Sequence, residues 1–277
     1  MSGLGTISGS GRIAVTIAGS DSGGGAGIQA DLKTFSALGV YGASVITALT
    51  AQNTRGVQAI HDVDPEFVAR QIESVFTDLD VRAVKIGMLS RSAVIAAVAE
   101  NLARYAAGLP LVLDPVMVAT SGDRLLADDA VEALRRKLLP HAAVLTPNLP
   151  EAAVLLGEGV AGTEAAMLDQ GRRLLALGPR AVLMKGGHGA GPTSVDLLVG
   201  PDDRILRLEG PRIATRNTHG TGCTLSAALA AGLARGLALP DAAREAKAYL
   251  TAALAASERL RVGHGNGPVH HFHAWWS

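Results

Sequence analysis

Cysteine is almost missing from this chain of 277 residues; Cys223 stands alone. That excludes an intrachain disulfide and any cysteine-built metal cluster, and it fits a reducing, cytoplasmic setting. Aromatic residues make up only 3%. An excess of either charge is lacking as well, because 25 Lys and Arg balance 25 Asp and Glu. No global field therefore draws in nucleic acid or an anionic membrane. No apolar run approaches the ~20 residues needed to cross a bilayer. The opening MSGLGTISGSG has no basic region ahead of an apolar core, so residues 1–11 read as a flexible tail and not as a signal peptide.

What is present is 48% apolar residues and 33 glycines, a profile suited to helices on a parallel sheet with tight connecting turns. The runs IAVTIAG, SVITALTAQ, AVKIGM, LVLDP, AAVLTPN and AVLMKGG read as buried strands, being almost continuously apolar as a doubly covered sheet requires. Helices are expected over AGIQADLKTFSALG, PEFVARQIESVFTDL, SAVIAAVAENLARYAAG and TEAAMLDQGRRLLALG, the last capped by Thr163. VDLLVG and RILRLEG, joined by PDD, read as a hairpin near one sheet edge. Two more helices are expected, one opening at Thr221–Cys223 and one at Asp241 after Pro240. With no repeat and no linker, the reading is one doubly wound α/β domain over residues 12–277.

In such sheets ligands bind beyond the carboxyl ends of the strands. Those ends carry Gly19-Ser20-Asp21, Gln52-Asn53, Gly87-Met88, Asp114-Pro115, Thr146-Pro147-Asn148 and Lys185-Gly186-Gly187-His188. Turn chemistry accounts for Gly, Asn and Asp there, less readily for Gln, Lys or Asp-Pro.

Within NTHGTGCT, the Gly220-Thr221-Gly222 turn feeds a helix whose first amides suit an anion, with Thr218 and Thr221 as added hydroxyl donors. A thiol there is expected to have a lowered pKa and to act as base or nucleophile; the alternative is a plain helix cap over an inert cysteine. AGSDSGGGAGIQAD has neither GK[ST] nor G-x-G-x-x-G spacing and reads as a ligand-lining loop. Lys185 in KGGHG can reach nucleotide phosphates or merely snorkel at a strand end. Asn148 and Glu151 can hold hydrated magnesium near phosphate, or simply form a capping box. His270, His271 and His273 have no acidic or thiol companions nearby in sequence; the C-terminal segment reads as packed, anchored by Phe272, Trp275 and Trp276.

Together GSDSGGGAGIQADLKTFSALGVYGASVITALTAQNT, KIGML, LDPVMVATSGDRLL, LTPNLPEA, VLMKGGH, NTHGTGCTLSAALA and GPVHHFHAWW closely resemble the hydroxymethylpyrimidine/phosphomethylpyrimidine kinases. These thiamine-pathway enzymes belong to the ribokinase-like superfamily, beside the pyridoxal kinases. The resemblance covers essentially everything after residue 12, so a fusion to a thiamine phosphate synthase is not expected. It implies a ribokinase-like α/β/α sandwich, and transfer of phosphate from ATP with Mg²⁺ to 4-amino-5-hydroxymethyl-2-methylpyrimidine and then to its monophosphate. It also implies a homodimer. By position, Gln52 reads the pyrimidine edge. Gly19, Ala26, Met88 and Val116 line the ring pocket with Asp31 nearby. Asn148 and Glu151 fall on the magnesium and phosphate motif, and Gly220, Thr221, Gly222 and Cys223 on the anion hole. Lys185 and Thr218 are expected at ATP, Asp114 at metal-bound water, and ATSGDRLL as a lid.

Two positions depart from the family pattern: Gly23 stands where Ser is usual, and Thr120 where Lys is frequent. Two rival readings stay open, pyridoxal kinase activity and a Cys223–His219 hydrolase lacking a visible third group. A third, a nucleotide-binding regulator without turnover, is also open.

Overall fold

Alternate side chains on the central strands point to opposite faces of one sheet, as the period of two demands. Val15, Ile17, Val84, Ile86, Leu111 and Leu113 enter one core cluster. Their neighbours along the strands, Ala14, Ala83 and Val112, enter a second. In this computed structural model, which describes residues 11–117, 128–187 and 191–276, nine strands run in the order β3-β2-β1-β4-β5-β6-β7-β8-β9.

The strands are β1 (Ile13–Asp21), β2 (Tyr41–Asn53), β3 (Gly56–Asp62), β4 (Val81–Ile86), β5 (Leu111–Leu113), β6 (Val144–Leu145), β7 (Val182–Lys185), β8 (Thr193–Val199) and β9 (Ile205–Pro211). From β2 through β7 neighbours are parallel. β3, β8 and β9 add antiparallel pairs at the two edges. Helices α2 (Pro65–Phe76), α3 (Ser92–Tyr105), α4 (Asp128–Lys137), α5 (Leu149–Leu156) and α6 (Glu164–Leu175) cover the face of the first cluster. Helices α1 (Gly27–Ala37), α7 (Thr221–Ala234) and α8 (Leu239–Ala255) cover the other. The architecture is the doubly wound α/β sheet that the apolar runs call for.

Helix α7 is apolar nearly all round and buried from Thr224 through Gly232, as a helix sealed between sheet and neighbour must be. Gly232 permits this, since a Cβ there would meet Ala242 Cβ at 2.8 Å. Thr163 caps α6 by accepting from the Ala166 amide, and the β8–β9 hairpin lies at the edge expected for it.

Two expectations need correction, and one strand was not expected at all. Strand β3, which the apolar-run criterion passes over, is mostly exposed and, among the described residues, pairs only with β2. Helix α8 opens at Leu239, ahead of Asp241, because proline is tolerated in a first helical turn. Trp275 and Trp276 do not anchor the C-terminal segment, being 71% and 54% exposed. Val269, His270 and His271 do so instead: the His270 amide donates to Ala253 O, and Tyr249 donates to His271 O. The lid segment with Thr120, together with His188 and Gly189, lies outside the described residues.

Candidate active site

Strands β1, β4, β5 and β7 end on one edge of the sheet, where a cavity of about 730 Å³ opens. Its wall brings together Gly19, Ala26, Gln52, Met88, Val116, Asp114, Asn148, Glu151, Lys185, Thr218 and the run Gly220–Cys223. Residues separated by two hundred positions thus meet in one crevice. Asp31 is the exception. Its side chain is fully buried behind the wall, where its carboxylate accepts from Lys85 at 2.8 Å and Thr16 at 2.6 Å. It acts on the cavity through Lys85, which lines it.

At one corner, Gly220 takes φ +78° and delivers the chain into α7 without a side-chain cap. The left-handed turn needs glycine twice over, because a Cβ there would sit 1.9 Å from Gly25 O. The amides of Gly222 and Cys223 thereby open the helix with no cap acceptor, at the positive end of its dipole. The Thr221 hydroxyl is not a free donor as expected, since it donates to Thr218 O at 2.6 Å.

The thiol of Cys223 corrects another expectation. Burial pushes it up to about 11; Lys85 and the Gly27 amide favour the thiolate, but Asp31 and Asp114 oppose it. Desolvation and nearby carboxylates outweigh the helix terminus.

The middle of the crevice is charged. Lys185 donates to Asp114 at 2.8 Å and lies 3.8 Å from Glu151. Asp114 also accepts from Thr146 at 3.0 Å and from Ser226 at 3.1 Å. Asn148 and Glu151 form a reciprocal capping box at 2.8 Å in each direction, so the bland reading of that pair is realised. Yet Glu151 still lines the cavity, and burial pushes its carboxyl up to about 7 against the pull of Lys185.

The opposite end is narrower in chemistry. Gly19 allows Met88 to lie across the strand end, since a Cβ there would meet Met88 Cε at 2.6 Å. The Ser22 hydroxyl accepts from the Gln52 backbone N–H and donates to the Gln52 backbone carbonyl, both at 2.9 Å. Ser22 therefore supplies a loop hydroxyl beside the position where Gly23 lacks one.

Several residues escaped the sequence reading. Lys85, a lysine inside an apolar strand run, was itself the missed signal, because a buried ammonium needs a partner. The pairing of Asp21 with His219 carried none, the two being 198 residues apart while bonded at 2.8 Å. This pairing also bears on the hydrolase reading: the His219 ring nitrogen is engaged by Asp21, and the sulfur of Cys223 faces the Gly27 amide. At the far end, Asp196 accepts from Lys247 at 2.8 Å and from the Gly186 amide at 2.9 Å.

An amide-lined helix start facing a lysine held by carboxylates, within one enclosed crevice, defines a small-molecule phosphotransferase. The comparisons specify which kind. The family model for phosphomethylpyrimidine kinase matches residues 21–270. A hydroxymethylpyrimidine/phosphomethylpyrimidine kinase of Rhizobium meliloti is 62% identical over 264 residues, spanning 95% of this chain and 98% of that protein. The thiamine biosynthesis bifunctional protein ThiED of Geobacter sulfurreducens is 51% identical over 257 residues, 93% of this chain and 51% of its own. The pyridoxal kinase of Staphylococcus aureus, solved with AMP-PCP and pyridoxal, superposes with TM-score 0.87 at 31% identity, covering 96% of each chain. The chain belongs to the phosphomethylpyrimidine kinase family.

Proposed function

We propose that the protein phosphorylates 4-amino-5-hydroxymethyl-2-methylpyrimidine and then its monophosphate with ATP, in thiamine biosynthesis. The observation that carries this reading is the single crevice joining Gln52 and Met88 to Lys185 and the Gly220–Cys223 turn. In this reading residues 12–277 act as one kinase domain, in the cytoplasm and as a homodimer. Among the described residues, no helix is long and apolar enough to cross a membrane.

Gln52 reads the pyrimidine edge, while Gly19, Ala26, Met88 and Val116 enclose the ring. Ile213, Leu250 and Leu254 give the far end an apolar wall suited to a nucleotide base. The amides of Gly222 and Cys223 face the transferring phosphoryl group, and Lys185 neutralises charge as it develops. Thr218 borders the same phosphates. Cys223 takes the hydroxymethyl proton as the pyrimidine oxygen bonds to phosphorus and ADP leaves. Because the resting thiol is protonated, the thiolate fraction limits this step near neutral pH.

The residues also fit a hydrated magnesium ion. Among the described residues no cluster of three His, Cys, Asp or Glu could hold a metal alone, but magnesium keeps several waters and needs few protein oxygens. Glu151, buried and with its proton held up to about 7, would hold the cation; Asn148 and Asp114 would orient water beside it. When bound, magnesium neutralises nucleotide phosphate charge.

A single time course following the pyrimidine, its monophosphate and its diphosphate with ATP tests the assignment. Sequential appearance of both phosphates is expected, and ATP consumption independent of the pyrimidine would overturn it. Pyridoxal belongs as a side substrate, supported by the pyridoxal kinase superposition; its kcat/KM should fall below that of the pyrimidine.

A further inference from the structure

We propose that Asp21 and His219 form a clasp that fixes the substrate-side glycine loop against the anion-binding turn, making both residues positioning residues for phosphoryl transfer. The inference rests on the kinase reading above, but the clasp itself is a matter of geometry.

The Asp21 carboxylate is 3% exposed and accepts from both sides of the crevice. From its own loop it takes the amides of Gly23 at 2.8 Å, Gly25 at 3.0 Å and Ala26 at 2.9 Å. From the opposite side it takes the His219 ring nitrogen Nε2 at 2.8 Å. Burial alone would raise the carboxyl, yet His219 and the amides outweigh it and hold Asp21 below the usual range. The carboxylate is therefore charged, and each of these hydrogen bonds is charge-assisted.

The two loops also interlock sterically. A Cβ on Gly25 would meet His219 Cδ2 at 2.3 Å, and one on Gly220 would meet Gly25 O at 1.9 Å. His219 is held from behind in turn, its amide donating to Gly267 O at 3.0 Å. One side of the clasp leads through Gly27, whose amide faces the Cys223 sulfur, and the other is the residue before Gly220. A shift of the clasp therefore moves the Gly27 end of the glycine loop and the amides of the Gly220–Cys223 turn relative to each other. Displacements of about 1 Å at this kind of site can cost on the order of 10² in rate.

The test combines kinetics with amide hydrogen exchange on the full-length protein, using His219→Ala, His219→Gln and Asp21→Asn. His219→Ala is expected to lower kcat by about 10–100-fold while the KM for ATP moves little. His219→Gln, which can place an amide donor toward Asp21, is expected to recover most of that loss. Exchange at Gly23–Ala26 should accelerate in His219→Ala, although the substitution lies 193 or more residues away in sequence, and return toward the wild-type rate in His219→Gln. Asp21→Asn should accelerate exchange on both sides, at Gly23–Ala26 and at Gly220–Cys223. Unchanged exchange at Gly23–Ala26 in His219→Ala overturns the clasp, as does a glutamine variant no better than alanine in a folded protein. If the unaltered protein fails to phosphorylate the pyrimidine, the kinase assignment falls, while the exchange measurements still decide the clasp. Should His219→Ala not fold, His219→Gln and Asp21→Asn decide it by the same readouts.

Discussion

Cys223 shows how far a residue's surroundings can override its local motif. A cysteine at a helix N-terminus is ordinarily acidified, whereas here burial, with Asp31 and Asp114 nearby, pushes the thiol up to about 11. Alkylation by iodoacetamide should therefore accelerate roughly tenfold per pH unit from pH 7 to 10, since the thiolate is the nucleophile. A plateau below pH 8 would contradict this. Replacing Cys223 by Ser should slow phosphoryl transfer on the order of 10² or more if proton removal contributes as usual. Glu151 carries a second residue-level prediction. Its carboxyl loses a proton near 4.5 when unfolded and near 7 when folded. The unfolded state thus binds fewer protons between those values, so this group's contribution to stability falls as pH rises through that window. Without magnesium at pH 8, Glu151→Gln should melt no lower than wild type, because glutamine can still accept from the Asn148 amide. Its turnover should nonetheless drop, as read in a pyrimidine-dependent ADP assay. A lower melting temperature would mean that the ion pair with Lys185 outweighs burial.

Elements were readable where one physical signal dominated. The apolar runs place β1, β4, β5 and β7 because a sheet covered on both faces leaves no polar alternation. The Asn148–Glu151 spacing places the start of α5, and Asn148→Ala should cost about 1 kcal/mol in chemical denaturation through loss of the cap. Strand β3 was not readable, since its residues are mostly exposed and its pairing depends on the chain turning back along β2. The two tryptophans misled because aromatic size suggests burial, whereas the backbone of Val269–His271 makes the actual attachment. The turn at Gly220 gives the sharpest element-level prediction. Gly220→Ala combines a positive φ with a 1.9 Å approach to Gly25 O. It should both lower the melting temperature and abolish most turnover, and a normal enzyme would show that the two loops tolerate separation.

At the scale of the whole molecule, the list of strand ends foretold one polar edge, and the structure assembles it into a crevice. What it could not foretell was which side chains reach across. Gln52→Ala should raise the KM for the pyrimidine with little change for ATP, because Gln52 and the apolar wall proposed for the nucleotide base lie on different elements of the same cavity. An effect confined to ATP would misplace the substrate end. Distance along the chain explains the limit: no local pattern joins Asp21 to His219, or Lys85 to Asp31, since only the closed fold brings them together.

That separation has a temporal side. The bond between Asp21 and His219 closes over 198 residues. At ribosomal speeds of ~5–20 residues per second, Asp21 precedes its partner by roughly 10–40 s. The glycine loop therefore waits through that interval with its organising carboxylate unpaired to the imidazole. Catalytic competence cannot precede the emergence of His219, however early the first strands pair.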